Sequence, residues 1–111
     1  DGSLDILQPD INWVGGLTPT RKIAHAAEAA GLQVILHGGA NNVFGQHFTY
    51  GTTNSPWIEC FVGSAPGIPL REVFPDWQSV PEEGFLVPSD AAGFGIEVAE
   101  SDISPFDYSV G

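Results

Sequence analysis

Three residues of this chain combine a suitable side chain with a position suited to moving a proton: Asp10, His37 and Glu59. Asp10 follows Leu4-Asp5-Ile6-Leu7-Gln8-Pro9, and His37 follows Leu32-Gln33-Val34-Ile35-Leu36. Both runs read as short strands, the second nearly all apolar, as buried parallel strands are. Consecutive parallel strands put their C-terminal ends side by side, and in α/β barrels that face carries the active site. A carboxylate beside an imidazole fixes its tautomer and raises its basicity, giving a pair able to take up and return a proton. Plainer roles exist for both, Asp10 capping a turn and His37 merely ending a strand. Glu59 stands between Trp57-Ile58 and Cys60-Phe61. A carboxyl group in that apolar setting should be partly desolvated and able to hydrogen-bond a developing oxyanion. Its plainer alternative is a surface glutamate on a strand edge.

The other chemically interesting residues carry weaker signals. His25 and His47 fall inside helical stretches, where surface or groove positions are the ordinary reading. Gly15-Gly16 and Gly38-Gly39 form neither G-x-G-x-x-G nor a P-loop. Cys60 reads as a small buried hydrophobe. Trp13, Trp57 and Trp77 read as packing residues rather than a recognition surface.

The elements that must position Asp10 and His37 are legible from local signals. Pro9 cannot donate to a ladder, so the first strand should end near Asp10. Thr18 before Pro19 suggests a helix start, an N-cap hydroxyl followed by proline at the first helical position. The helix should run from Pro19 to Ala30, with Ile23, Ala26, Ala27 and Ala30 on one face, and stop at Gly31. Asn41 or Asn42 could cap a second helix that is weakened by Gly45 and runs to about Thr53. Residues 4 to about 53 thus spell strand, helix, strand, helix, with a right-handed crossover between parallel strands. Beyond it, 57–62, 84–88 and 95–98 read as short strands, with 89–93 as a turn. Two parallel strands leave both sheet edges open, so further strands are expected from elsewhere, or from other copies of the chain.

The chain has 111 residues, 42% of them hydrophobic, so one small domain with a core is within reach. Fourteen acids against three bases, Arg21, Lys22 and Arg71, give a net charge of −11. That balance argues against nucleic acid and against anionic membrane surfaces as partners. With a single cysteine, no intrachain disulfide or cysteine-based zinc cluster can form. No apolar run is long enough to span a bilayer and no signal peptide is visible, which suits a cytoplasmic protein. There is no methionine, so Asp1 is not expected to be the natural start of translation.

Taken together, several segments resemble a known family. Leu7-Gln8-Pro9-Asp10, Gly15-Gly16-Leu17-Thr18, the following helix and Val34-Ile35-Leu36-His37-Gly38 are similar to the last two βα units of an enolase-superfamily (β/α) barrel. Gly84-Phe85-Leu86-Val87-Pro88 and Gly93-Phe94-Gly95-Ile96-Glu97-Val98 resemble that superfamily's C-terminal return to its capping domain. The resemblance runs from about Asp5 to Phe106. It falls in the mandelate-racemase-like group, nearest its L-rhamnonate dehydratase subgroup, where the histidine precedes a glycine as His37 precedes Gly38. It implies an α/β fold, with residues 1–55 as the last two βα units and 56–111 as a loop-rich segment with short strands.

The resemblance also implies magnesium-assisted dehydration of an acid sugar, through an enediolate, to a 2-keto-3-deoxy acid. His37 would protonate the departing 3-hydroxyl and exchange the C2 proton. Asp10 would orient His37, and Glu59 would hydrogen-bond the oxyanion. The family's metal ligands are carboxylates of strands three to five, and no segment here corresponds to them. The chain alone is therefore expected to bind magnesium poorly and not to catalyse, and a folded form is expected to be a homo-oligomer or to need a missing N-terminal partner segment. The alternatives are a non-catalytic barrel remnant that oligomerises and a racemase or epimerase of the same superfamily.

Overall fold

Extended backbone bracketing one well-stopped helix sets the frame. The structure, a computed structural model, describes residues 2–62 and 74–104. Strand β1 is Ile6–Leu7 and strand β2 is Gln33–Val34, paired in parallel with Ile6 opposite Gln33 and Leu7 opposite Val34. The regular strands are shorter than the expected runs, but the ladder outlasts them. The N–H groups of Gln33, Ile35 and His37 donate to the carbonyls of Asp5, Leu7 and Pro9. Pro9, which has no N–H, takes part only as an acceptor. The register therefore carries through to the pair Asp10 and His37.

Helix α1, Leu17–Ala29, crosses between the strands. It begins two residues before the expected Pro19, and Thr18 is not its cap. Gly16 holds the N-cap position without a side-chain bond, and Thr20 Oγ1 donates back to the Gly16 carbonyl at 2.7 Å. Pro19 is tolerated at the third helical position because the first four helical N–H groups have no partner in the helix. The buried face also differs from expectation: Thr20, Ala24 and Ala27 are buried, Ile23 is half-buried, and Ala26 and Ala30 are exposed. That is an i, i+4, i+7 stripe rotated from the predicted one. The stop is as expected. Gly31 takes φ +71°, its N–H donates to the Glu28 carbonyl, and Leu32 N–H reaches the Ala27 carbonyl at 2.8 Å. These two bonds make a Schellman motif.

The core is small: Ile11, Ala24, Ala27, Val34, Leu36 and Phe48, edged by Leu7 and Leu32. Val34 and Leu36 are fully buried, each worth about 1.5–3 kcal/mol of burial.

Helix α2, Val43–Tyr50, follows a single 3₁₀ turn at Gly39–Asn41. Asn42 is its cap, Oδ1 accepting from Gly45 N at 2.7 Å. It ends three residues earlier than about Thr53, since Thr52 Oγ1 takes the Phe48 carbonyl at 2.5 Å and competes with continuation of the helix.

The segment after α2 holds the main surprise. Val34 N–H, on the side of β2 away from β1, donates to the Asn54 carbonyl at 2.9 Å, and Ala40 N–H donates to the Glu59 carbonyl at 2.9 Å. Residues 54–59 thus run beside β2 in the same direction, so that edge is not open as expected. The expected boundary between residues 55 and 56 falls inside this third extended segment. Asn54 Nδ2 ties it down by donating to the carbonyls of Ala24 and Leu32.

No ladder forms over 57–62, 84–88 or 95–98. The described C-terminal residues instead carry one isolated bridge between Glu82 and Phe85. It closes over Glu83 and Gly84, both with positive φ, as a two-residue hairpin turn requires. The expected turn at 89–93 appears slightly later, where Gly95 N–H donates to the Ala92 carbonyl. Gln46 Nε2, donating to the carbonyls of Ala40 and Ser79, anchors this part of the chain to the 3₁₀ turn. Phe94, edge-on to Phe44 and His47, covers α2.

Candidate acid–base site

The parallel register delivers Asp10 and His37 to the same end of the sheet. His37 Nδ1 lies 3.3 Å from Asp10 Oδ2. The Asp10 side chain is 23% exposed and the His37 side chain 50%, so the carboxylate is the anchored partner and the ring faces solvent. Asp10 Oδ1 accepts from Asn12 N–H at 2.8 Å and Trp13 N–H at 3.4 Å. Asp10 therefore caps its own turn and meets the imidazole at once, and the two readings of this residue coexist. Desolvation pushes the Asp10 carboxyl up. The hydrogen bonds from Asn12 N–H, His37 and Trp13 N–H, together with the field of His37, outweigh it and hold the group below the ordinary carboxylate value.

Glu59 arrives from the third segment. Its Oε2 accepts from Gly38 N–H at 2.6 Å, so it is a half-buried glutamate gripping the backbone next to His37. Asp10, His37 and Glu59 thus stand at the same end of three adjacent, parallel stretches of chain.

Two residues that sequence reasoning passed over complete the site. Asn41 bonds Phe61 twice, Nδ2 donating to the carbonyl at 2.9 Å and Oδ1 accepting from N–H at 2.7 Å. This imitates a strand pair and fixes the residues after Glu59. Phe61 in turn sets its ring edge-on to His37, centroids 5.3 Å apart. The signal that could have found them is Gly38-Gly39. Gly38 has φ +58°, and a Cβ there would meet the Phe61 ring at 3.1 Å. At Gly39 a Cβ would lie 2.9 Å from Leu36 Cβ and 3.2 Å from Ile58. The glycine pair serves close packing around His37.

The remaining candidates lie elsewhere. His25 is exposed on α1 and His47 is half-buried on α2. With Arg21 they line a cavity of about 300 Å³ that includes none of the three site residues. Cys60 is half-buried, and desolvation raises its thiol pKa. Trp13 and Trp57 are 88% and 68% exposed, contrary to the packing role expected for them. Trp77 is half-buried.

Among the described residues no three His, Cys, Asp or Glu side chains converge as a metal site. Asp10 and Glu59 are the carboxylates near the imidazole, and among the described residues no third ligand joins them, so these residues by themselves do not compose a magnesium site. No helix of the described residues is long and apolar enough to cross a membrane.

Residues 1–102 match the family model described as enolase C-terminal domain-like. The chain belongs to that family. That family implies a partial α/β barrel, and the described residues form two parallel strands joined by a crossover helix. Among curated proteins it is similar to one from Caldivirga maquilingensis provisionally named L-rhamnonate dehydratase, 39% identical over 100 residues. It is also similar to the L-rhamnonate dehydratase of Saccharopolyspora erythraea, 34% identical over 100 residues. Each match covers 87% of this chain and 25% of the relative, so the chain spans about a quarter of the length of the curated relatives it matches. No solved structure matches the chain.

Proposed function

We propose that this chain supplies the acid–base half of an acid-sugar dehydratase active site. The observation that carries the reading is the meeting of three groups at one end of parallel chain segments: Asp10 on His37 at 3.3 Å, and Glu59 on the neighbouring Gly38 N–H. Names borne by the two relatives point to L-rhamnonate as the substrate.

In this reading His37 works through Nε2, because Nδ1 is turned to Asp10. Asp10 keeps the proton on Nδ1, orients the ring and supports its charged form. Nε2 takes the C2 proton and gives it to the departing 3-hydroxyl, which leaves as water, and the enol that results gains a proton at C3 to become the keto acid. Glu59, held by Gly38 N–H, would hydrogen-bond the substrate's carboxylate-derived oxygen. Phe61 stands edge-on to the His37 ring and half of that side chain is exposed, so the ring is open to substrate. The product is a 2-keto-3-deoxy acid.

Enzymes of this superfamily that dehydrate acid sugars use magnesium, which neutralises charge on the substrate carboxylate. Residues beyond those described here would have to hold it, and they would come from the rest of the barrel. Among the described residues no strand pairs with the outer edge of β1, where Leu4 and Ile6 are 58% and 44% exposed, and that edge is where the remainder or another copy of the chain would attach.

The test is a chimera in which this chain replaces the matching quarter of the Saccharopolyspora erythraea relative. The chimera should convert L-rhamnonate to a 2-keto acid, detected as its semicarbazone. His37→Asn should lower the rate by about 10²–10⁴-fold. A folded chimera without activity, or an active His37→Asn variant, would overturn the reading.

A further inference from the structure

The contact with Asp10 does not by itself fix the His37 ring. It is one contact of 3.3 Å to one nitrogen, and the His37 side chain is 50% exposed. Held at that single point, the imidazole is free to swing into water about its side-chain torsions. A second constraint comes from Phe61. Its ring stands edge-on to the imidazole with centroids 5.3 Å apart and planes at 73°, a favoured arrangement for aromatic pairs. Phe61 also lies against the backbone beside His37, because a Cβ at Gly38 would meet its ring at 3.1 Å.

Phe61 needs an anchor of its own, since it is 48% exposed and burial alone does not hold it. Asn41 supplies that anchor. Its Nδ2 donates to the Phe61 carbonyl at 2.9 Å and its Oδ1 accepts from the Phe61 N–H at 2.7 Å. Asn41 stands in the 3₁₀ turn that directly follows His37-Gly38, and its N–H donates to the Gly38 carbonyl at 3.0 Å. The clamp is therefore built on the turn that continues from the imidazole's own backbone. Glu59 is tied to that turn independently, its carbonyl accepting from Ala40 N–H and its carboxylate from Gly38 N–H. Removing the Asn41 side chain thus releases Phe61 and leaves Glu59 held.

We infer that Asn41 is a positioning residue for the acid–base site, keeping the His37 imidazole turned to Asp10 through Phe61. The inference rests on the reading of His37 as the group that moves the proton. Asn41 does not have to touch substrate for this. An imidazole that swings away from Asp10 loses the partner that fixes its tautomer. It also presents Nε2 to substrate in the wrong geometry for part of the time, and transfer between misaligned groups is slow.

The test is long-range ¹H–¹⁵N NMR of the full chain, read together with NOEs between the His37 and Phe61 rings. The parent should show the Nδ1–H tautomer and ring-to-ring NOEs. Asn41→Ala and Phe61→Leu should each move the tautomer ratio toward Nε2–H by about 2- to 10-fold, the worth of one aromatic contact. Phe61→Tyr, which keeps the ring, should match the parent. In Asn41→Ala the Gly38 amide should stay protected from exchange, Glu59 still holding it. A purely structural role would lower the stability of Asn41→Ala and leave the tautomer ratio of the folded protein unchanged, and that result would overturn the inference. In the chimera with the Saccharopolyspora erythraea relative, Asn41→Ala and Phe61→Leu should each lower kcat about 10- to 100-fold with KM nearly unchanged. A rise in KM alone would mean that Phe61 meets substrate, and would also overturn it. An inactive parent chimera would remove the dehydratase reading, and the NMR comparison would still decide whether Asn41 positions His37.

Discussion

Gly45→Ala sets two known effects against each other, and the structure decides between them. Gly45 lies inside α2, and alanine there should favour the helix by about 0.5–1 kcal/mol. Against this, the new Cβ would fall on the Gly39 carbonyl oxygen, and 2.8 and 2.9 Å from Gly39 Cα and carbonyl carbon. Carbon atoms touch at about 3.5 Å, so the shortfall is about 0.7 Å. All three obstacles are backbone atoms and no rotamer change removes them. Helix α2 must therefore retreat from the 3₁₀ turn. Retreat stretches the Asn42 cap onto Gly45 N at 2.7 Å and the Gln46 bond to the Ala40 carbonyl at 2.8 Å. Overpacking of this kind costs about 1–3 kcal/mol, and each weakened hydrogen bond about 1 more. The net expectation is destabilisation by about 2–4 kcal/mol. Urea unfolding followed by circular dichroism measures it, and with a slope of about 1–3 kcal/mol/M the midpoint should fall by about 1–2 M. An unchanged or higher midpoint would refute the reasoning, because helix propensity would then have outweighed contact with Gly39.

Other consequences follow from the same geometry. Asn41→Ala removes both bonds to Phe61 and leaves the Phe61 backbone unpaired; stability should fall by about 1–2 kcal/mol, and amide exchange at Phe61 should accelerate in hydrogen-exchange NMR. Asp10, held below the ordinary value of 3.8, contributes stability that is complete above that value and lost as pH falls through the lower folded pKa. Acid unfolding of Asp10→Asn, followed by fluorescence, should lack that part of the pH dependence, and an identical acid limb would contradict the assignment.

Much of the frame was legible from local chemistry. The Gly31 stop and a cap at Asn41 or Asn42 depend on a few adjacent residues; the stop appears as read, and of the two cap candidates Asn42 holds the position. The strand ends at Asp10 and His37 were legible because Pro9 and the Gly38-Gly39 pair punctuate the apolar runs. What escaped depended on distant partners. Thr18 looked like a cap, but Gly16 took that position, with positive φ at Gly15 and Gly16 turning the chain into α1. The buried face of α1 rotated toward Thr20 because Gly16 O satisfies its hydroxyl, allowing a polar residue into the core. The 54–59 segment has no alternation to mark it as a neighbour of β2, and it is held by Asn54 and Glu59 through bonds to Val34, Ala40 and Gly38. Glu59 was singled out for its apolar neighbours, whereas its partner, a backbone N–H from another segment, leaves no trace in local sequence. The short strands expected near 84–88 and 95–98 had the right residue types but no facing strand among the described residues.

The account turns on one contact, the Asp10 carboxylate holding a proton on His37 Nδ1. Long-range ¹H–¹⁵N NMR of neutral His37 reads the tautomer directly, in the parent chain and in Asp10→Asn. The account predicts the Nδ1–H tautomer in the parent and a shift toward Nε2–H in the variant. Nε2–H predominating in the parent, or the same tautomer balance in both, would contradict it.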